Sequence, residues 1–490
     1  MRTFTFKGLF LTAVFMLLGC LSIQAADDDL ITKQITIKLD KAGTLPNKIG
    51  SREKYKITNL KIVGEINGTD FRMIREMAGR DYRGDVTEGN LSVLDLSEAK
   101  IVEGGDYYYS YFPKYYHTSN DEIGVNAFEG CSGLTSLTLP AGITEIGICA
   151  FYGCSGLTSL NLPDGITEIR EYAFYGCSGL TSLNLPDGIT TIGWKAFEGC
   201  SGLTSLTLPA GITSIGYETF SGCSGLTSLN LPAGITSIGR SAFEGCSGLT
   251  SLNLPDGITT IAVWTFSGCS GLTSLTLPAG ITEIGGYAFK DCSGLTSLNL
   301  PASITTIGDN AFVDCTGLTS LTLPAGITSI GEYAFEGCRG LTSLNLPAGI
   351  TSIRSSAFKG CSGLTSLNLP ASITTIGWKA FEGCSGLTSI YVYAEKVPGI
   401  GSDAFKGCDA KKCILYVPKG TYDDYWLSDF GYYFENIVEF DATGINKTTT
   451  STDVEEVSRY SVNGQRLVGP TKGLNIVKYS DGSVKKVAVQ

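Results

Sequence analysis

Apolar and polar residues alternate in one pattern that repeats every 23 residues between positions 122 and 394. In the copy that begins at Cys131, the alternation over 137–139 predicts a short strand with one buried face. Pro140 and Gly142 then predict a turn, and Ile143 and Ile146 mark a second short extended piece. The phrase "AFYGC" at 150–154 leads into the next copy.

A period in the twenties that contains L-x-x-L-x-L is the signature of a leucine-rich repeat. A single coil of 23 residues buries too little apolar surface to offset the entropy lost on folding, so coils have to stack on one another. The sequence therefore predicts a repeat solenoid, a right-handed coil with a parallel β-sheet, in place of several separate globular domains.

Irregular segments flank the array and are predicted to cap it. Residues 26–121 form the predicted N-terminal cap, with leucine spacing at 57–62 and 91–96 and a helix over 69–79 that starts at Thr69 or Asp70. The remaining predicted segments are a C-terminal cap at 395–440, a threonine-rich linker at 441–456 and a β-hairpin tail at 457–490, with "NG" and "DG" as its turns.

The first 25 residues have the features of a secretory signal peptide. Arg2 and Lys7 precede an apolar run, and small residues at Ala25 and Ala26 suit cleavage. The phrase "LLGC" offers an alternative, in which Cys20 is lipidated. Either reading predicts a mature protein outside the cytoplasm, on the outer surface of a bacterium or released from it.

The net charge of the chain indicates which classes of partner suit it. Removal of Arg2 and Lys7 with the signal changes the formal net charge from −11 to −13. An acidic chain without a basic cluster is poorly suited to nucleic acid, whose affinity for proteins depends on phosphate contacts. No later apolar run is long enough to span a bilayer, so membrane contact is expected only through a lipid anchor or the tail.

Cysteines recur at the 23-residue interval, and we predict that they form a ladder of buried free thiols. The twelve members are Cys131, Cys154, Cys177, Cys200, Cys223, Cys246, Cys269, Cys292, Cys315, Cys338, Cys361 and Cys384. The fifteen cysteines that follow the signal cannot all pair with one another. Two alternatives are a disulfide framework and a local disulfide between Cys408 and Cys413; the interval does not match a zinc motif.

No residue pattern predicts catalysis or a cofactor. His117 is the single histidine and lies in a tyrosine-rich stretch, where a surface position is the simpler explanation. Asp164, Asp187 and Asp256 could suggest calcium, but alanine or serine takes their place in other copies. We therefore expect a protein that is not an enzyme and has no metal or cofactor.

Differences between copies separate the scaffold from candidate binding surfaces. The outward positions of the main strand are uniformly Ser, Thr or Asn, whereas the two positions before "AF" vary most. Exposed Trp and Tyr bring a large rigid surface with a polar tip, which suits contact with a protein or glycan. Packing between loops is the alternative. The candidate ligand-binding residues are Tyr172, Trp194, Tyr217, Trp264, Tyr287, Tyr333 and Trp378, with Tyr108 and Tyr109 in a second, N-terminal tyrosine cluster.

The repeat "GLTSLTLPAGITSIGxxAFxGC" resembles that of the BspA-like family of bacterial surface leucine-rich-repeat proteins. The segment "KITNLKIVGEINGTDFRMIREMAGRDY" resembles the N-terminal region common in that family, and the tail resembles sorting or anchoring tails of exported Bacteroidetes proteins. The resemblance implies a secreted or surface-exposed adhesin-type protein. It also implies host matrix proteins, plasma proteins or other bacteria as partners.

The sequence thus predicts an exported, monomeric solenoid that binds an extracellular protein or glycan without catalysis. Glycan capture for nutrient uptake and a purely structural envelope role are the alternatives. Glycan capture predicts aromatic side chains that converge in one groove, adhesion predicts a broad face, and a structural role predicts no soluble ligand.

Overall fold

Short parallel strands, stacked one per turn of the chain, form the body of the molecule. The computed structural model describes residues 30–442 and, in the tail, 456–461, 466–467, 473–479 and 484–489. The solenoid predicted from the period is confirmed, with helices confined to the two ends of the stack.

The main strands pair in register, so that each residue faces its own counterpart one repeat away. Leu160, for example, pairs with Leu137 on one side and Leu183 on the other. The main strands of the array are Ser136–Thr138, Ser159–Asn161, Ser182–Asn184, Ser205–Thr207, Ser228–Asn230, Ser251–Asn253, Ser274–Thr276, Ser297–Asn299, Ser320–Thr322, Ser343–Asn345, Ser366–Leu369 and Ser389–Val392.

A second row of two-residue strands follows the turn in each coil, and each ends in an isoleucine that is buried in all strands but the last. These strands are Glu122–Ile123, Glu145–Ile146, Glu168–Ile169, Thr191–Ile192, Ser214–Ile215, Ser237–Ile238, Thr260–Ile261, Glu283–Ile284, Thr306–Ile307, Ser329–Ile330, Ser352–Ile353, Thr375–Ile376 and Gly399–Ile400. They also pair in parallel and in register, as Ile146 does with Ile169.

Two residues of the phrase "SGLT" are explained by contacts between neighbouring coils. A Cβ atom on Gly179 would lie within contact distance of the backbone oxygen of Ser155 in the preceding coil, so the position has no room for a side chain. In most coils the Thr hydroxyl donates a hydrogen bond to the backbone oxygen of the corresponding Thr in the previous coil, as Thr158 does to Thr135 O at 3.0 Å. Repetition of the phrase therefore follows from close stacking.

Ladders of identical side chains fill the interior. Phenylalanines from Phe128 to Phe405 stack with near-parallel rings, for example Phe174 on Phe197 at 5.4 Å. The cysteine ladder is buried, and from Cys154 onward each thiol in the array donates a hydrogen bond to a phenylalanine carbonyl of the previous coil, as Cys177 does to Phe151 O at 3.1 Å. Every cysteine among the described residues is free, including Cys408 and Cys413.

The N-terminal cap combines three strands with one long helix and two short ones. The strands Ile35–Lys38, Asn59–Ile66 and Val93–Ile101 extend the main sheet in parallel. The cap helix, Gly68–Met77, begins one residue earlier than the sequence suggested, with Asn67 as its N-cap. Asp70 is the third helical residue and closes a capping box with Asn67, so the prediction of Thr69 or Asp70 as the cap was wrong. Short helices at Leu45–Lys48 and Glu53–Tyr55 complete the cap, and the antiparallel hairpin Gly104–Tyr111 and Lys114–Thr118 projects from it.

Two arginines terminate the hydrogen-bond ladder at this end of the stack. In the array, backbone N–H groups near Phe128 donate to carbonyls of the following coil, as Phe128 N does to Ala150 O at 2.7 Å. The first coil has no preceding coil to donate to its own carbonyls. Arg75, which is fully buried, donates instead to Asn126 O at 2.6 Å and Ala127 O at 2.9 Å.

Arg80 extends this arrangement through a hydrogen bond from its Nε atom to Gly130 O at 2.9 Å. Asn126 O and Gly130 O also accept from the backbone N–H groups of Glu129 and Ser132, whereas Ala127 O, the counterpart of Ala150 O, depends on the guanidinium of Arg75. A guanidinium suits this role because it carries several donors in one plane.

Aromatic side chains close the other end. The strands Ile414–Pro418 and Asn436–Phe440 continue the main sheet, and the helices Tyr422–Trp426 and Asp429–Tyr433 lie between them. Phe434 packs edge-on against Phe405, the last ring of the phenylalanine ladder, at 5.2 Å. Tyr425 is fully buried and donates a hydrogen bond to Ala394 O at 2.6 Å.

The tail strands are Glu456–Ser461, Arg466–Leu467, Gly473–Tyr479 and Val484–Val489, and they pair as an antiparallel sheet. The predicted signal peptide at 1–25 with Cys20, most of the threonine-rich linker and the predicted "NG" and "DG" turns lie outside the described residues.

We expect the thiols to be unreactive in the folded protein and reactive after unfolding. Burial raises the pKa of the ladder thiols, to about 12 for Cys246, so almost no thiolate is present at about pH 8. Thiol titration without reductant should therefore detect few groups in native protein and most of the fifteen described cysteines in denaturant. A denatured, unreduced chain that exposes almost no thiol would contradict the free ladder.

Replacement of Arg75 by methionine should destabilise the fold strongly, because the buried carbonyl of Ala127 would lose its donor and the hydrogen bonds to Asn126 O and Glu129 O would also be lost. We expect the free energy of unfolding to fall by about 3 kcal/mol or more in urea denaturation. Arg339 is a suitable control, since it is exposed where most other copies have serine, and Arg339→Ser should change stability by less than about 0.5 kcal/mol. Similar effects of the two substitutions would argue against the capping role.

Candidate functional site

The two residues before each Ala-Phe or Thr-Phe pair form a tight turn, which we call the first and second turn positions. The second position has a left-handed backbone in every coil, with φ of 56° at Tyr172 and 63° at Trp264. Bulky residues rarely adopt this conformation. Here the backbone N–H is held by the following coil, as Lys195 N is by Tyr217 O at 2.9 Å. The scaffold thereby fixes a turn whose side chains are free to differ.

The candidate residues in the array differ in exposure according to their turn position. Trp194, Tyr217 and Trp378 occupy the first position and are exposed at 42%, 39% and 44%. Tyr172, Trp264, Tyr287 and Tyr333 occupy the second position and are half-buried. The largest accessible aromatic surfaces are therefore those of the first position.

One group of aromatic residues spans four consecutive coils, and we call it the aromatic strip. Its members are Tyr152, Tyr172, Tyr175, Trp194 and Tyr217. Tyr152 and Tyr175 stack at 4.6 Å between ring centres, and Trp194 meets Tyr172 edge-on at 4.7 Å. The rings of the two turn positions thus lie on the same side of the solenoid.

Lys195 lies between Tyr172 and Tyr217 and links Tyr217 to the rest of the strip. The ammonium of Lys195 lies 5.9 Å from the ring centre of Tyr172 and 5.3 Å from that of Tyr217. It forms ion pairs with Glu198 at 2.9 Å and with Glu218. Burial opposes the charged ammonium, but the hydrogen bonds to these glutamates outweigh it and raise the pKa of Lys195. The aromatic surface therefore has a fixed ionic group within it.

The two glutamates respond differently to this environment. Burial disfavours both carboxylates and leaves the pKa of Glu198 raised. At Glu218 the effect of burial is outweighed by the hydrogen bond from Lys195, and its pKa is lowered. Glu218 is therefore the principal anionic partner of the lysine.

The other candidate residues are dispersed along the array. Trp264 and Tyr287 stack face to face at 4.0 Å, with the ammonium of Lys290 at 5.8 Å from the Trp264 ring. Trp378 contacts the ammonium of its neighbour Lys379 at 4.6 Å, and it lies eight repeats from Trp194. The structure brings these residues to one row of turns but not into one pocket.

Two sequence-predicted site residues are buried. Tyr108 packs against Phe71 at 5.8 Å and donates a hydrogen bond to Val125 O at 2.8 Å. Tyr109 is also buried and packs against the guanidinium of Arg75 at 4.9 Å. Placing them on a binding surface was therefore wrong, because Phe71 covers Tyr108 and Arg75 covers Tyr109. Their neighbours Tyr111 and Tyr115 are exposed.

Sequence reasoning missed Tyr152 and Tyr175, which lie directly after the phenylalanine of their coils. The same position holds Glu198, Ser221 and Lys290 in other coils. This variability between copies could have marked it as part of a candidate binding surface.

The main-strand face is a second repetitive surface. Its Ser, Thr and Asn side chains are exposed in most coils and carry no charge. Neighbouring amides can bond to each other, as Asn368 Nδ2 does to Asn345 Oδ1 at 3.2 Å. Such groups are also well satisfied by water, so a contact made by this face would gain less free energy per residue than one made by exposed aromatic rings.

Among the described residues, the side chains that the sequence offers for catalysis or metal binding do not lie close together. His117 lies exposed on the cap hairpin, with its ring 6.3 Å from that of Tyr107. Asp164, Asp187 and Asp256 are exposed turn residues in separate coils. Within 30–442 and the tail strands, no group of three or more metal-ligating side chains is found, and no helix is long and apolar enough to cross a membrane.

Comparisons with known proteins agree with this architecture. The family described as "BspA type Leucine rich repeat region" matches residues 115–227, 192–319 and 305–421, which together span more than half of the chain. A crystal structure of a leucine-rich repeat protein from Bacteroides ovatus is 30% identical, covers 68% of this chain and 90% of its own, and superposes with a TM-score of 0.57. A leucine rich cell surface protein from Faecalibacterium prausnitzii is 30% identical over 60% of this chain and 86% of its own, with a TM-score of 0.43. No curated protein matched the sequence.

Substitution of Lys195 by methionine should destabilise the turn, because Glu198 and Glu218 would lose their shared cation. The three side chains are only 16–20% exposed, so we expect a loss of about 1–2 kcal/mol in the free energy of unfolding. Lys406 pairs with Asp403 at 3.7 Å but is 61% exposed, and Lys406→Met should cost less than about 0.5 kcal/mol.

The effect of Lys195→Met should also depend on pH. Because the pKa of Glu218 is lowered in the fold, its ionised carboxylate stabilises the folded protein at pH values above the usual pKa of 4.5. This stabilisation is lost as the pH falls through the pKa of the folded state. Because the pKa of Lys195 is raised in the fold, its ammonium stabilises the folded protein at pH values below 10.5. This stabilisation is lost as the pH rises through the pKa of the folded state. Unfolding curves of the two proteins should converge in acid, and a difference independent of pH would contradict the ion pair.

Proposed function

Because the chain belongs to the BspA-type leucine-rich repeat family, we propose that it is an exported, non-enzymatic protein of the bacterial surface. In this role it binds another macromolecule, through the aromatic strip, and so attaches the cell to host matrix or plasma proteins or to other cells. The N-terminal sequence, with its basic start, apolar run and small residues, supports export.

The observation that carries the proposal is the exposure of Trp194 and Tyr217 on a backbone that is fixed by its neighbours. Rings of this kind lose little side-chain entropy on binding and dominate the energy of many protein interfaces. Lys195, Glu198 and Glu218 surround them with charge already arranged by ion pairs. Aromatic anchors within a polar rim are the composition expected of a protein-binding surface.

The spread of the aromatic residues favours a broad interface. Trp194 and Trp378 are separated by eight repeats, and the stacked pair Trp264 and Tyr287 lies between them. A partner that contacts several coils would use their regular spacing. A small glycan would instead need rings that close around one groove.

Glycan capture is the second candidate, and the uncharged main-strand face supports it. Its repeating hydroxyl and amide groups match the hydrogen-bonding character of a neutral polysaccharide. The aromatic side chains do not converge in one groove, so a glycan would instead lie on the Ser, Thr and Asn positions, and substitutions in the aromatic strip would leave its binding unchanged.

An array of matrix proteins, plasma proteins and glycans, probed with the purified protein, tests the proposal. We expect saturable binding to at least one protein, whereas binding confined to glycans would favour the second candidate. The absence of binding to every component would contradict both and favour a structural role in the envelope.

With the ligand found on the array, the double substitution Trp194→Ala and Tyr217→Ala should weaken binding at least about tenfold, or about 1.4 kcal/mol. The melting temperature should change little, because both rings are exposed. Trp426→Ala is the control, since Trp426 is exposed at 47% on the C-terminal cap, away from the turns. A large loss of stability with unchanged affinity would show that the two rings serve packing.

A further inference from the structure

A cavity of about 380 Å³ opens on the N-terminal cap, away from the row of turns. One wall is the cap helix, and the other is the segment that runs from Pro46 to Lys54. Asp106 of the cap hairpin lies at its rim. The cavity has the size of a site for a small molecule, near the lower end of the usual range.

The helix presents a regular face to this cavity. Thr69, Arg72, Met73 and Glu76 all line it, and their spacing places them on one side of the helix. Met73 is buried and, with Ile49 opposite, gives the cavity an apolar floor. The polar groups thus lie around an apolar centre.

Two of the four charged groups neutralise each other. Lys54 forms a close ion pair with Glu76, and the two side chains are only 16% and 22% exposed. Burial opposes the charge on Lys54, but hydrogen bonding to Glu76 outweighs it and raises the pKa of the ammonium. This pair is a fixed part of the wall.

Arg72 is positioned but has no oppositely charged partner among residues 30–442. Its guanidinium lies over the Tyr82 ring at 3.9 Å and near the Tyr107 ring at 5.4 Å. Stacking holds the group by its flat face and leaves its N–H edge for other contacts. A planar N–H edge is well suited to a carboxylate.

Asp106 is likewise held in place without a cation. Its backbone N–H donates to the hydroxyl of Thr69 at 2.9 Å, and its carboxylate accepts from the same hydroxyl at 3.2 Å. Gly68 allows this approach, because a Cβ atom there would overlap the backbone oxygen of Asp106. Among the described residues, no ion pair joins Asp106 to Arg72 or to any other cation.

We infer that this cavity binds a small zwitterion with an apolar side chain, of the amino acid or short peptide class. Arg72 receives the carboxylate, Asp106 receives the ammonium group, and Met73 and Ile49 contact the side chain. After the pairing of Lys54 with Glu76, the remaining charges are one cation and one anion, which complement such a ligand and leave the site neutral. The inference is independent of the binding role proposed for the aromatic strip.

Methionine methyl groups provide a local test. The chain has four methionines, and only Met73 and Met77 lie outside the first 25 residues. In protein labelled with 13C at the methionine methyl groups, addition of millimolar leucine should shift the Met73 resonance. Met77 is fully buried and does not line the cavity, so its resonance should remain in place. Substitution of either residue by leucine assigns the two signals.

Analogues that lack one charge test the zwitterion. N-acetyl-leucine keeps only the carboxylate, and leucinamide keeps only the ammonium group. Each should bind at least about tenfold more weakly than leucine. Leucyl-leucine separates the charges further, so comparison with leucine identifies whether a free amino acid or a peptide fits. Absence of a Met73 shift with both leucine and leucyl-leucine, or equal affinity for N-acetyl-leucine and leucine, would overturn the inference.

Matched substitutions locate the charges. Arg72→Gln and Asp106→Asn should each weaken binding of the better zwitterion at least about tenfold. Arg83→Gln is the control, because Arg83 also lies on the Tyr82 ring, at 5.2 Å, but does not line the cavity. Circular dichroism monitors folding of each variant. Folded Arg72→Gln and Asp106→Asn proteins that bind as tightly as the control would overturn the assignment.

Discussion

In-register stacking requires each side chain in the array to be compatible with a copy of itself in the next coil. Phenylalanine satisfies this requirement by parallel stacking, cysteine and threonine by donating to carbonyls of the previous coil, and glycine by having no side chain. Like charges do not satisfy it, because they repel when directly opposite in a sheet. Where Glu122, Glu145 and Glu168 are in register, Arg170 pairs with two of them.

The same requirement explains which parts of the molecule the sequence could predict. The 23-residue period predicts the strands, their register and the buried thiols, because each coil repeats the same local contacts. The caps depend on contacts that occur once. Arg75 reaches the carbonyl of Ala127, 52 residues away, and Asn67 replaces the expected helix cap. Tyr108 and Tyr109 look like surface residues by composition, but in the folded cap Phe71 covers Tyr108 and Arg75 covers Tyr109.

The candidate site was predictable in part for a related reason. Variation between copies located the two turn positions, because a side chain outside the packed ladders does not have to be identical to its counterpart in the next coil. It did not reveal which rings meet, because Tyr172 touches Trp194 across coils and from a different turn position. The cavity on the cap had no repeated signal at all. Its charged residues are spread from Lys54 to Asp106 and meet only in the folded cap.

Because the two ends of the solenoid are closed by different residues, the number of coils between them can change while both caps stay the same. Arginines complete one end and aromatic residues close the other, while every coil between them presents the same two faces to its neighbours. Recombination between the nearly identical repeats can therefore delete or duplicate whole coils without disturbing either cap. Loss or gain of one coil between Trp194 and Trp378 would alter their separation by about 4.8 Å, the spacing of adjacent strands. The spacing of the exposed rings could in this way change in fixed steps, with no new fold to be selected.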